Sequence, residues 1–223
     1  MKFSQLLYDN VQEIWEKTHH HPFINGLGAG NLSVEYFIRY MKQDYIFLID
    51  YAKLFAFASA KATDLETMGA FAKLLNETLH GEMELHRQYA AKFSITNEQL
   101  VATRATPINL AYTRYMLTVA QNGSLAELVS ALLPCMWSYW EIGKMLVANY
   151  PGSDEHPLYG EWIRMYSSEE FGSLATWLID LLDKLTEGKP KRELQELEQH
   201  FLTTSRYEYM FWNMVYKGDD WPV

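Results

Sequence analysis

The chain has 223 residues, 48% hydrophobic and 21% charged, which suits one globular domain over residues 1–223 with a sizeable core and argues against disorder. A net charge of −9 with no cluster of Lys or Arg excludes a nucleic-acid or anionic-membrane partner. Seven prolines and twelve glycines are few for this length and favour helices, while 15% aromatic content, with 15 Tyr and 7 Trp, points to an aromatic-lined cavity or large interfaces. The single cysteine rules out an intrachain disulfide, and no stretch is apolar enough to cross a bilayer. A cytoplasmic protein is expected.

Periodicity then predicts helices in series. The first has Ser4 as N-cap, Phe3 and Tyr8 placed for a hydrophobic staple, and Leu7, Val11, Ile14 and Trp15 inward; His19-His20-His21-Pro22 ends it, and Gly26, Gly28 and Gly30 mark a loop. Ser33 caps the second, whose stripe runs Val34, Phe37, Ile38, Met41, Tyr45, Leu48, Ala52 and Phe55. A third starts near Asp64, with Leu65, Met68, Ala72, Leu75, Leu79, Met83, Ala90 and Phe93 inward. Thr106-Pro107 opens a fourth with a cap and an N1 proline, carrying Tyr112 in its stripe, and Asn122-Gly123 closes it.

Ser124 and Glu127 form a capping box for the fifth helix, with Leu128, Val129, Leu132, Cys135 or Met136, Tyr139, Gly143 and Leu146 inward. A short helical piece from Pro157 carries Trp162, Ile163 and Tyr166. Ser167 with Glu170 is read as a second capping box, opening a helix that Gly188-Lys189-Pro190 stops. The last helix carries Leu194, Leu197, Phe201, Ser205, Glu208, Phe211, Trp212 and Val215. With no strand or repeat signal, the expected architecture is a single-domain, all-α helical bundle.

Three polar features break the apolar stripes: Asp44, Glu208, and the pair Glu82 and His86 at a spacing of four. A buried carboxylate costs several kcal/mol unless paired, so each requires a partner, a solvent-reaching edge or a cavity. Cys135 adds a thiol on a buried face, beside a proline inside the helix. Pro134 removes its own donor and clashes with the carbonyl of Ser130 at a cost of about 3 kcal/mol, so it kinks the helix beside the thiol, is a tolerated kink, or marks a fresh start. A cavity accounts for the thiol, the acids and the tyrosines together. Acids and burial both disfavour a thiolate, so activation requires a carboxylate to take the proton, or a substrate that carries positive charge, such as a protonatable heterocycle. Di-iron bundles use Glu-x-x-His pairs; here Glu16 with His19 and Glu77 with His80 lie off the apolar stripes and are read as solvated, and Glu82 with His86 as a hydrogen-bonded core pair. Neither a metal nor a cofactor is expected.

Taken together, His21-Pro22-Phe23, Gln43-Asp44-Tyr45, Glu82-Met83-Glu84-Leu85-His86-Arg87, Leu133-Pro134-Cys135-Met136-Trp137-Ser138-Tyr139-Trp140-Glu141, Trp162-Ile163-Arg164-Met165-Tyr166 and Tyr207-Glu208-Tyr209-Met210-Phe211-Trp212 resemble the TenA / thiaminase II family over nearly the whole chain, in its cysteine-bearing branch. The resemblance implies a haem-oxygenase-like helical fold without haem, a homotetramer, and hydrolysis of 4-amino-5-aminomethyl-2-methylpyrimidine, with thiamin as a further substrate. It also implies roles: Cys135 as nucleophile, Glu208 as acid and base at the leaving group and water, Asp44 as the carboxylate that anchors and protonates the ring nitrogen or amine. Tyr112, Tyr139 and Tyr166 match pocket tyrosines, and Phe47 stands where some members have Tyr. The rival readings are a metal-dependent or haem oxidase on the same fold and a non-catalytic pyrimidine-binding protein.

Overall fold

Side-chain caps foreseen in the sequence open several helices in a computed structural model of the chain, which describes residues 2–223. In chain order the helices are α1 (Phe3–His19), α2 (Pro22–Gly28), α3 (Val34–Lys61), α4 (Leu65–Glu77), α5 (Met83–Lys92), α6 (Asn97–Val101), α7 (Pro107–Asn122), α8 (Leu125–Asn149), α9 (Gly160–Ser167), α10 (Glu169–Thr186) and α11 (Lys191–Lys217). Among the described residues there is no strand, and no helix is long and apolar enough to cross a membrane.

The caps follow the expected chemistry, with three shifts. Thr106 accepts from the Asn109 amide to open α7 behind Pro107, and Ser124 and Glu127 bond reciprocally before α8. Ser4 is not the cap of α1 but lies in its first turn, where its amide and hydroxyl both donate to Asp183 of α10 at 2.8 Å. The cap of α10 is Ser168 rather than Ser167, accepting from Phe171. Residues 22–28 are helical rather than loop: the His21 ring accepts from the Phe23 amide and so caps α2 with Pro22 at N1.

The chain forms two compact units, one made of residues up to Ser33 with 129–212, the other of 34–128 with 213–223. In the first, α1, α8 and α11 meet through rings. Tyr8 stacks on Trp137 at 5.4 Å, Trp15 meets Trp137 edge-on at 5.4 Å, and Phe201 lies 6.1 Å from both tryptophans. In the second, α3 is the spine, with Phe37, Tyr40, Phe47, Tyr51 and Phe55 buried along one side against α4, α5 and α7.

The second unit contains the largest departure from the expected pattern. The helix from Leu65 runs on through a π turn, Thr78–Glu82, into α5. Buried positions before the turn are Thr67, Phe71, Leu74 and Thr78, each one residue away from the predicted Met68, Ala72, Leu75 and Leu79; Leu65 is 84% exposed. After it, Met83 and Ala90 are buried as predicted. The step from Thr78 to Met83 is five residues, the repeat of a π turn, so one extra residue re-phases the apolar face. A strict 3.6-residue period counted back from Met83 lands on the wrong side.

Candidate active site

In the second unit the site is built on one turn of α3. Asp44 is buried, and its Oδ2 accepts two hydrogen bonds: from the Tyr40 hydroxyl at 3.1 Å and from His86 Nε2 at 2.6 Å. His86 comes from α5, and its Nδ1 lies 2.9 Å from the Glu82 carbonyl. A carbonyl only accepts, so Nδ1 carries a proton, and the Nε2 contact then shares one proton between imidazole and carboxylate. Burial, the largest influence on the His86 pKa, pulls it down; the hydrogen bond and charge of Asp44, with the charge and carbonyl of Glu82, more than offset this and hold the imidazole above its ordinary value. The side-chain partner of His86 is therefore Asp44, not Glu82 as expected. Glu82 contributes its backbone.

One residue before Asp44, buried Gln43 ties α3 to the start of α7. Its carbonyl oxygen accepts from the Thr106 and Asn109 groups, and its amide donates to the Arg104 carbonyl at 2.9 Å. Asn109 also donates to the Gln43 backbone at 2.8 Å. This network fixes the backbone under the carboxylate. One turn further on, Phe47 lies between Tyr51, stacked at 5.4 Å, and Tyr112 of α7 at 5.2 Å. Asp44, Phe47 and Tyr112 are thus brought into one neighbourhood.

In the first unit α8 passes through Pro134 without a break, so the helix does not start afresh there. The Ser130 hydroxyl, one turn before the proline, donates to the Leu197 carbonyl of α11 at 2.6 Å. From Leu128 to Tyr139 every residue is buried except Cys135, which is half-buried. Cys135 is therefore the most accessible residue of this run. Tyr139, one turn later, meets Tyr166 of α9 at 4.8 Å, Trp162 at 5.9 Å and Trp212 of α11 at 5.3 Å, and Trp162 and Tyr166 touch at 4.5 Å. Glu208, 3% exposed, precedes Trp212 by one turn just as Cys135 precedes Tyr139. Contacts between α8 and α11 climb both helices in the same sense, from Ser130 with Leu197 through Trp137 with Phe201 to Tyr139 with Trp212. The two helices thus run the same way, and Cys135 and Glu208 each stand one turn before a ring of the Tyr139–Trp212 contact.

Sequence reasoning left Tyr40, Gln43, Asn109, Trp162 and Trp212 without site roles. Tyr40 carried a signal, standing one helical turn before the anomalous Asp44. Among the described residues no three His, Cys, Asp or Glu side chains gather where a metal could be held. Glu16 and His80 are exposed as expected, but His19 is half-buried rather than solvated, and burial lowers its pKa against the opposing charge of Glu141.

A family model described as TENA/THI-4/PQQC matches residues 8–218. The chain belongs to this family. A relative from Halalkalibacterium halodurans named aminopyrimidine aminohydrolase is 51% identical over 221 residues, covering 99% of this chain and 98% of its own length. A second of that name, from Helicobacter pylori, is 42% identical over 98% of this chain and all of its own. Among solved structures, the TenA homologue from P. horikoshii OT3 superposes with a TM-score of 0.89 at 29% identity, covering 98% of this chain and 100% of that one. A Shewanella denitrificans domain with a heme oxygenase-like fold gives a TM-score of 0.76 at 13% identity, covering 96% and 92%. The TenA-family chain described here is all-α, with a haem-oxygenase-like fold.

Proposed function

We propose that this chain is a hydrolase of thiamin salvage that converts 4-amino-5-aminomethyl-2-methylpyrimidine and water to the 5-hydroxymethyl pyrimidine and ammonia. Two near-full-length relatives named aminopyrimidine aminohydrolase support the substrate class. The observation that carries the chemistry is half-buried Cys135 in a run of otherwise buried residues, one turn from the Tyr139–Tyr166–Trp212 rings.

In this reading Glu208 takes the thiol proton as the Cys135 sulfur bonds to a ring carbon, and delivers it to the amine as the electron pair of the dearomatised ring expels ammonia from the methylene arm. Water then adds to the arm, giving up a proton to Glu208. The carbon–sulfur bond breaks, and Glu208 passes that proton to the sulfur, which restores the thiol. Asp44 anchors the heterocycle and protonates it at its ring nitrogen or amine, and the protonated ring supplies the positive charge that a buried thiolate otherwise lacks. Phe47, Tyr112, Tyr139 and Tyr166 supply ring surfaces for an aromatic substrate. No metal or cofactor enters these steps. Thiamin is a second substrate of the same chemistry, and the working protein is a cytoplasmic homotetramer formed from single domains spanning residues 1–223.

Ammonia release from the aminomethyl pyrimidine, with thiamin tested alongside, checks this directly. Cys135→Ser is expected to abolish turnover while leaving the helical circular dichroism intact. A folded Cys135→Ser enzyme with undiminished turnover would sink the nucleophile.

A further inference from the structure

The group on which Asp44 leans is assigned no role by the reaction just described. Asp44 Oδ2 is filled: it accepts from Tyr40 and from His86, whose other nitrogen is committed to the Glu82 carbonyl. No described residue donates a hydrogen bond to Oδ1. With two donors on Oδ2, the other oxygen is left as the acceptor that a protonated heterocycle requires. The groups whose charge bears on the His86 ring are Asp44 from α3 and Glu82 from the π turn, both acidic.

We propose that His86 is a positioning residue for substrate: together with Tyr40 it occupies Oδ2 and so turns Oδ1 toward the N–H donors of a protonated aminopyrimidine. This rests on the aminopyrimidine reading above. His86 does not touch the substrate; it acts through Asp44. The π turn belongs to the same device, because its wide step keeps His86 on the buried face while its last member, Glu82, holds the far side of the ring.

The test compares wild type, His86→Leu, His86→Gln and Asp44→Asn in steady-state ammonia release from the aminomethyl pyrimidine at neutral pH. His86→Leu keeps apolar bulk but removes the charged donor, and KM should rise roughly ten- to a hundredfold, the worth of a hydrogen bond to a charged group. His86→Gln returns an N–H toward Oδ2, so most of the KM loss should be recovered. A packing role alone would not distinguish the two variants. Nitrogen NMR of the wild-type His86 ring supplies a second readout that does not depend on variant folding: both nitrogens should be protonated at neutral pH.

Wild-type KM in His86→Leu, or a bare Nε2 in the wild-type spectrum, overturns the inference while leaving the enzyme reading in place if Asp44→Asn is still impaired. A wild-type protein that releases no ammonia overturns both.

Discussion

Gly143 offers a sharp test of how tightly the ring cluster of the first unit is held. A Cβ added at this position on α8 would lie 2.5 Å from the Tyr166 carbonyl carbon and 2.6 Å from the Ser167 nitrogen. Both are backbone atoms at the end of α9, and backbone cannot rotate aside as a side chain does. Gly143→Ala therefore pushes α9 off α8 and loosens the 4.8 Å contact between Tyr139 and Tyr166. Overpacking of this kind costs about 3 kcal/mol at the top of its range. Alanine's better helix propensity returns about 1 kcal/mol, leaving a net loss of about 2 kcal/mol. For a chain of this size each kcal/mol moves the melting temperature by about 2–4 °C, so a fall of about 4–8 °C is expected.

Gly69 lies on an open side of α4, where an added Cβ would meet nothing within 4 Å, and Gly69→Ala should instead raise the midpoint by about 2–4 °C through propensity alone. Thermal denaturation followed at the helical dichroism band reads both, and ammonia release should fall only in Gly143→Ala. A Gly143→Ala protein that melts with or above wild type would refute the close approach of α8 and α9.

Two further outcomes follow from the hydrogen-bond geometry. Asp183→Ala strips the acceptor from both the amide and the hydroxyl of Ser4, so chemical denaturation should show a loss of about 1–2 kcal/mol, with Asp183→Asn losing less because one carbonyl oxygen remains. The raised pKa of His86 sets a pH dependence: its stabilising contribution is complete below the unfolded value of 6.5 and is lost as pH rises through the higher folded value. Denaturation midpoints measured from mildly acidic to alkaline pH should therefore decline more steeply in wild type than in His86→Gln; parallel profiles would contradict a protonated His86 in the fold.

Most of the helices were legible in the sequence because their signals are local. Thr106-Pro107 and the Ser124–Glu127 box depend on groups three residues apart, and the structure places them as written. Ser4 misled because the acceptor that satisfies it lies 179 positions away on Asp183. Asp44 and Glu208 stood out because a carboxylate in an apolar stripe is anomalous whatever its neighbours, and both are buried. What joins Asp44 to His86 could not be read: the two are 42 residues apart, and periodicity says which face a residue occupies but not which residue it meets. The Glu82–His86 spacing suggested a local pair, and what joins the two is a hydrogen bond to the Glu82 carbonyl together with the pull of its charge.

The π turn also bears on how long this chain has to be. Leu79, His80 and Gly81 all face solvent, so their side chains contribute little to the interior; their number matters more than their identity. Removing Gly81 would place Thr78 and Met83 four apart, and an ordinary α-helix would still carry both on the buried side. His86, three residues beyond Met83, would keep the face it shares with it. The exposed residue is slack that the wide turn takes up. Loss of one residue here should therefore be tolerated, where the same loss within an ordinary helix would turn every later side chain off its face.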